Sequence, residues 1–177
     1  MTIRFGILTV SDRSFSGDRD DVSGPLLKIL IEESGWETVR LGIVPDELEE
    51  IAKTLIDWAD SGSVDVILTT GGTGFAPRDI TPEATLKVVE RKAPGLVESI
   101  RAESLKITSH AMLSRAEAGI RGSTLIINFP GNPKAVEENL EIISPVLPHA
   151  VDLIKEDPDS ESGHRKLKNR RDLQSRL

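Results

Sequence analysis

The chain has 177 residues, 38% hydrophobic and 29% charged, with a net charge of -7 and no cysteine. That length and balance call for one domain, and with two Trp, four Phe and no Tyr its core must be aliphatic. The acidic average disfavours nucleic acid, the lack of cysteine excludes disulfides, thiol catalysis and thiolate zinc, and no apolar run nears the ~20 residues of a membrane span, so no membrane and a cytoplasmic setting are expected.

Ile3–Val10 is a β-branched apolar run, the pattern of a strand buried on both faces, and it is read as the first strand, not as a signal peptide. Ser11–Ser23 is polar and is expected as a long loop. Gly24-Pro25 opens a helix striped by Leu26, Leu27, Leu30 and Ile31 and stopped at Ser34-Gly35. Glu37–Val44 is a second strand, ended by Pro45. Asp46, with Glu49 three residues on, has the pattern of an N-cap for a helix running to Ala59. Val64–Thr70 is the third strand and runs into Gly71-Gly72-Thr73-Gly74. Thr81-Pro82-Glu83 caps a helix to about Arg91, Ala93-Pro94-Gly95 breaks it, and a further helix reaches about Lys106. Gly119–Arg121 and Thr124–Phe129 flank Gly122-Ser123 as a hairpin, Pro130–Pro133 leads to a helix carrying Val136, Leu140 and Ile143, and Pro145 begins the last one.

Strands alternating with helices predict an α/β fold: a three-layer α/β/α domain over 1–156, with a mostly parallel sheet and one antiparallel edge strand. Residues 157–177 lack apolar periodicity and cluster His164, Arg165, Lys166, Lys168, Arg170 and Arg171, the composition of a polar basic tail.

In open α/β sheets ligands bind beyond the carboxyl ends of the strands. Ser11-Asp12-Arg13, Pro45-Asp46, Gly71–Asp79 and Asn128–Pro133 each follow an apolar strand, and their convergence marks the candidate site. Gly71, Gly72 and Gly74 permit positive φ and backbone N–H groups aimed at an anion, with Thr70 and Thr73 adding hydroxyls, although a tight turn alone also explains the glycines. No Walker A lysine follows. Asp46 and Asp79 are two acids at one expected sheet edge, where they suit Mg²⁺ with substrate phosphates, or a helix cap and an Arg78 partner. Asn132 caps the next helix or receives an anion at its N-terminus, and Asn128 is a satisfied amide or a ligand contact. His110, His149 and His164 lack metal-ligand spacing, His149 lies among apolar helix residues as a packed histidine does, and no Gly-x-Ser-x-Gly elbow is present.

Thr9-Val10-Ser11-Asp12-Arg13, Pro45-Asp46-Glu47, Thr69-Thr70-Gly71-Gly72-Thr73-Gly74, Pro77-Arg78-Asp79-Ile80-Thr81-Pro82, Leu113-Ser114-Arg115 and Asn128–Pro133 resemble, in that order, the MogA/MoaB family, which includes the G domains of a plant relative and of animal gephyrin. The likeness runs from Ile3 to Lys155. It implies a commonly trimeric α/β/α enzyme that uses ATP and Mg²⁺ to adenylylate molybdopterin. It implies Asp46 and Asp79 as the catalytic, metal-holding acids, and Ser11, Asp12, Thr70, Gly71, Gly72, Thr73 and Gly74 around the nucleotide phosphates. Ser104, Ser114, Asn128, Pro130, Gly131 and Asn132 are implied around molybdopterin. A molybdenum-insertion enzyme is the implied recipient of the product. A MoaB-like protein that binds molybdopterin without turnover is the alternative.

Overall fold

The computed structural model describes residues 2–155; the basic tail expected over 157–177 lies outside the described residues. Six strands form one sheet: β1 (Arg4–Val10), β2 (Glu37–Val44), β3 (Val66–Thr70), β4 (Arg91–Lys92), β5 (Ala118–Arg121) and β6 (Thr124–Phe129). Their order is β2-β1-β3-β6-β5-β4. The pairs β2–β1, β1–β3 and β3–β6 are parallel, and β6–β5 and β5–β4 are antiparallel. The chain order and the expected hairpin at Gly122, where φ is +52°, both hold.

The side-chain alternation of the central strands divides the core in two. Phe5, Ile7, Val66, Leu68, Leu125, Ile127 and Phe129 point to one face. There they pack against α2 (Ser23–Glu33), α5 (Pro94–Leu105), α6 (Pro133–Ile143) and α7 (Leu147–Ile154). Leu8, Val10, Ile67 and Ile126 point to the other face, against α3 (Leu48–Asp60) and α4 (Thr81–Val88). Helix α3 forms because Ile51, Leu55 and Ala59 recur at helical spacing and bury one stripe. The three layers follow from this two-sided burial.

Five local expectations need correction. A one-turn helix, α1 (Asp12–Phe15), interrupts the polar loop after β1, because Ser11 Oγ accepts from the Ser14 N–H. Helix α4 stops at Val88, not near Arg91; Arg91–Lys92 instead pairs antiparallel with β5 and adds an outer edge strand. Glu47, not Asp46, occupies the N-cap position of α3, and Ile80, not Thr81, that of α4; neither caps through its side chain. The last helix begins at Leu147, two residues after Pro145. Among the described residues no helix is long and apolar enough to cross a membrane.

The sheet edge away from the strand C-termini is tied by a buried carboxylate. Asp65, 1% exposed, accepts from the Arg4 N–H at 2.9 Å and lies 2.7 Å from both Arg4 Nη2 and Lys155 Nζ. Burial by itself raises its pKa, but the bonds from Arg4 and Lys155 outweigh that and hold it below the usual carboxylate value. The clamp fixes the end of α7 against the start of β3.

Candidate functional site

Strands β1, β2, β3 and β6 deliver their C-termini to one edge, so the loops after Val10, Val44, Thr70 and Phe129 meet. After β1 the chain turns back to β2 on one side, while β3 lies on the other, so the strand order reverses between β1 and β3. Such a switch point opens a crevice between the two loops.

The loop after β3 needs its glycines for two reasons. Gly71 and Gly72 have φ of +104° and +63°, where a Cβ is disfavoured. Space is also absent: a Cβ on Gly71 would meet Val10 O at 2.3 Å, and one on Gly72 would meet Thr81 Oγ1 at 2.4 Å and Asp46 Oδ1 at 3.0 Å. The turn is held by Gly71 N–H donating to Phe129 O, Thr81 N–H to Gly72 O, and Thr81 Oγ1 to Gly71 O. Among the described residues no hydrogen bond occupies the N–H groups of Gly72, Thr73 or Gly74. Three consecutive unspent donors at a sheet edge are an anion cradle.

Asp46 is placed by Asp12. Its Oδ2 accepts from the Asp12 N–H at 2.8 Å, and its own N–H donates to Asp12 Oδ1 at 3.0 Å. Arg78 then grips the Asp12 carboxylate through Nε and Nη2 at 3.0 and 2.9 Å and reaches Glu47 through Nη1 at 2.9 Å. That fork holds the Asp12 carboxyl below its usual pKa. Burial, followed by the negative charges of Asp12 and Asp79, pushes the Asp46 carboxyl up, even though the Asp12 N–H favours its ionised form. The Asp79 carboxylate lies beside the loop: its Oδ2 accepts from the Ala76 N–H at 3.0 Å and sits 2.8 Å from where a Cβ on Gly74 would stand.

Two cavities open on this edge. The smaller, about 220 Å³, is mostly polar and is lined by Ser11, Asp20, Asp46, Thr70, Asp79 and Arg19 among others. The larger, about 410 Å³, is mostly apolar and runs between α5, α6 and the 3₁₀ turn Ser109–Leu113. Its polar groups include Thr73, Ser104, His110, Ser114 and Asn132. Gly71, Gly72, Asp79 and Gly131 line both, so the cavities are neighbours that meet at the glycine loop and Asp79.

Among the described residues no group of three or more His or acidic side chains is arranged to hold a metal. The Asp79 charge helps push the Asp46 carboxyl up, so the two acids lie near one another, and such a pair fits Mg²⁺, which usually keeps waters and substrate phosphates and takes only one or two protein carboxylates. They fit an ion brought with a nucleotide, not a resident all-protein site.

Several expected site residues have another task in the fold. Thr70 Oγ1 donates to Pro130 O at 2.8 Å, so this hydroxyl anchors the loop after β6. Asn128 is 0% exposed and lines neither cavity: Nδ2 donates to Thr69 and Thr85 Oγ1, and Oδ1 accepts from the Glu117 N–H. It is the satisfied strand-end amide, joining β6, β3 and α4 behind the site. Asp12 lines neither cavity. Asn132 Oδ1 accepts from the Lys134 N–H, capping α6, and the residue also lines the larger cavity. Ser104, Ser114, Pro130, Gly131, Thr73 and Gly74 line that cavity as a group.

Sequence reasoning missed Asp21, which accepts from Thr9 Oγ1 at 2.6 Å and from the Gly24 N–H at 3.1 Å and so shapes the polar cavity. It also missed Arg101 on the wall of the larger cavity, bonded to the carbonyls of Ser114 and Ala116. Residues whose partners lie on other elements leave no local pattern to read.

A family model described as a probable molybdopterin binding domain matches residues 6–149. The molybdenum cofactor synthesis protein cinnamon of Drosophila melanogaster is 51% identical over 88% of the chain, which spans only 26% of that protein. A molybdopterin adenylyltransferase of Helicobacter pylori is 46% identical, covering 86% of the chain and 88% of the relative. Among solved structures, the molybdopterin biosynthesis enzyme MoaB of Thermus thermophilus superposes with a TM-score of 0.83 at 48% identity, covering 89% of this chain and 99% of that one.

Proposed function

The chain belongs to the molybdopterin-binding family of molybdenum-cofactor biosynthesis, and from that premise we propose that it transfers AMP from ATP to the terminal phosphate of molybdopterin, releasing pyrophosphate. The observation that carries this reading is the pair of neighbouring cavities, one polar and acidic, one wider and apolar, sharing Asp79, Gly71 and Gly72 with its unspent N–H, while the free N–H groups of Thr73 and Gly74 lie on the wider one. The polar cavity suits the ATP phosphates. The apolar one suits a flat heterocycle, with Ser104, Ser114, Asn132 and the Pro130-Gly131 backbone to orient it.

In the reaction an oxygen of the molybdopterin phosphate forms a bond to the α-phosphorus of ATP. The bond from that phosphorus to the α,β-bridging oxygen breaks, and its electron pair leaves with pyrophosphate. A phosphate monoester is already mostly ionised at neutral pH, with a second pKa of about 6, so no general base is required. Two polyanions must instead be brought together and held in line. The N–H groups of Gly72, Thr73 and Gly74, together with the Ser11 hydroxyl, are preorganised donors for the charge that shifts between oxygens. Asp46 and Asp79 would hold Mg²⁺, which supplies positive charge against the phosphates. Asn128 and Thr70 act at one remove, by fixing the strand ends that carry the loops.

We further place the chain in the cytoplasm as a homotrimer that passes its product to a molybdenum-insertion enzyme. Ile107, Met112 and Leu113, all exposed beside the larger cavity, are apolar surface that a neighbouring copy would cover, and sedimentation equilibrium giving a monomer mass would contradict the trimer. The catalytic reading is tested by incubating the protein with ATP, Mg²⁺ and purified molybdopterin and weighing the pterin product. A mass increase of one AMP is expected. Bound but unmodified molybdopterin would instead identify a binding protein without turnover.

A further inference from the structure

Arg115 lines neither cavity, yet it touches more of the site's framework than any residue that does. Its backbone N–H donates to Thr73 O at 2.9 Å. Its guanidinium then uses three different nitrogens: Nε donates to Gly74 O at 2.7 Å, Nη2 to Asp79 O at 2.6 Å, and Nη1 pairs with Glu83 Oε1 on α4. One half-buried side chain thus fastens the glycine loop, the main chain of Asp79 and the first turn of α4 to the segment that follows Ser114 on the larger cavity's wall.

The consequence for the donors follows from peptide geometry. All described peptide bonds are trans, and in a trans peptide the N–H points opposite to the preceding C=O. Arg115 holds the carbonyls of Thr73 and Gly74 toward itself, so the N–H groups of Gly74 and Phe75 face away from it. The neighbouring Asp79 carboxylate is tethered through the carbonyl of its own residue. Lysine cannot replace this arrangement, because its single nitrogen cannot span three acceptors that a planar fork reaches separately.

We propose that Arg115 is the positioning residue of the site: without touching substrate, its backbone N–H sets the Gly74 N–H and its guanidinium fork sets the Phe75 N–H and the main chain of Asp79, so that these N–H groups are presented together to a pyrophosphate-type anion beside the Asp79 carboxylate. The identity of the phosphates as those of ATP and molybdopterin rests on the adenylyl-transfer reading; the anion cradle and its anchor do not.

The test uses full-length wild type, Arg115→Lys, Arg115→Ala and Glu83→Gln, with inorganic pyrophosphate as the probe. Loop amides are followed by NMR, and thermal midpoint, molybdopterin binding and adenylylation rate are measured alongside. Arg115→Lys is expected to weaken pyrophosphate binding and turnover by about tenfold or more, as a misplaced framework does, with the molybdopterin Kd within about twofold of wild type. The shift that pyrophosphate induces in the Phe75 amide should shrink while those of β3 amides stay unchanged, guanidinium ion should restore part of the pyrophosphate affinity of Arg115→Ala, and Glu83→Gln should fall between. Wild-type pyrophosphate affinity in Arg115→Lys overturns the proposal. So does a uniform loss of midpoint, pterin binding and pyrophosphate binding that guanidinium does not relieve. If Arg115→Ala fails to fold, Glu83→Gln decides, and unchanged affinity there also overturns it. Wild type that binds pyrophosphate through these amides but makes no adenylyl product sinks the adenylyl-transfer reading and leaves the role of Arg115 standing.

Discussion

Replacing Gly72 by Ala separates backbone strain from damage to the site, because a second glycine serves as its control. Gly72 has φ +63° and Gly62 has φ +66°, so an alanine pays the same left-handed penalty at either, about 1–2 kcal/mol. A Cβ at Gly62 meets nothing within 4 Å. A Cβ at Gly72 stands 2.4 Å from the buried Thr81 Oγ1 and 3.0 Å from Asp46 Oδ1. Thr81 must move, and its bond to Gly71 O is lost, which adds about 1 kcal/mol. Gly72→Ala should therefore cost about 2–3 kcal/mol, lowering the thermal midpoint by roughly 5–10 °C in a chain of this size, against about half that for Gly62→Ala. The displaced Asp46 carboxylate and Gly72 N–H should also weaken ATP by about tenfold or more, while Gly62→Ala leaves affinity unchanged. Denaturant unfolding and titration calorimetry with ATP and Mg²⁺ read both effects. Equal stability losses in the two variants, with wild-type ATP affinity in Gly72→Ala, would refute the crowding argument.

Three further outcomes follow from the charges. Asp65 has a folded pKa below its unfolded value of about 3.9, so its contribution is present above that pH and fades as pH falls through the folded value. Asp65→Asn should cost about 2–3 kcal/mol at pH 7, with the gap to wild type closing below pH ~4 in urea melts; a gap independent of pH would contradict the clamp. Asp46 is the opposite case: its folded pKa is raised, so it favours the fold below its unfolded pKa and loses that contribution as pH rises through the folded value. Asp46→Asn should accordingly have an unchanged or higher thermal midpoint at pH 7 while losing adenylylation, and a large drop in midpoint would return Asp46 to a structural role. Deleting Ser160–Leu177 should leave the midpoint within about 1 °C, since its only large apolar residues are Leu167, Leu173 and Leu177, without apolar periodicity; a marked fall would show that the tail packs on the domain.

The central strands were readable because strands buried on both faces need near-continuous apolar runs, and Ile3–Val10 and Thr124–Phe129 come close to them. The convergence of four loops was readable because parallel strands send their ends to one edge. What a sequence withholds is the partner of a side chain. Asp46 has the pattern of a helix cap, but its carboxylate bonds to an N–H thirty-four positions away at Asp12. Asn128 reads equally as a ligand contact or a satisfied amide and Thr70 as a phosphate donor, and only the bonds to Thr85 and Pro130 show both as supports. Strand β4 is two residues long, too short for any period, and exists because β5 offers it an edge. Arg115 stood within a legible motif while its importance lay in three acceptors on two other segments.

We propose that Asp46 and Asp79 serve phosphoryl chemistry at a site that also holds molybdopterin. Single-turnover formation of adenylylated molybdopterin at saturating ATP and Mg²⁺, measured for wild type and Asp79→Asn beside molybdopterin binding and circular dichroism, tests it most directly. A fall on the order of a hundredfold or more is expected in Asp79→Asn, with binding and fold retained. A near-normal rate in that variant, or loss of fold, would contradict it.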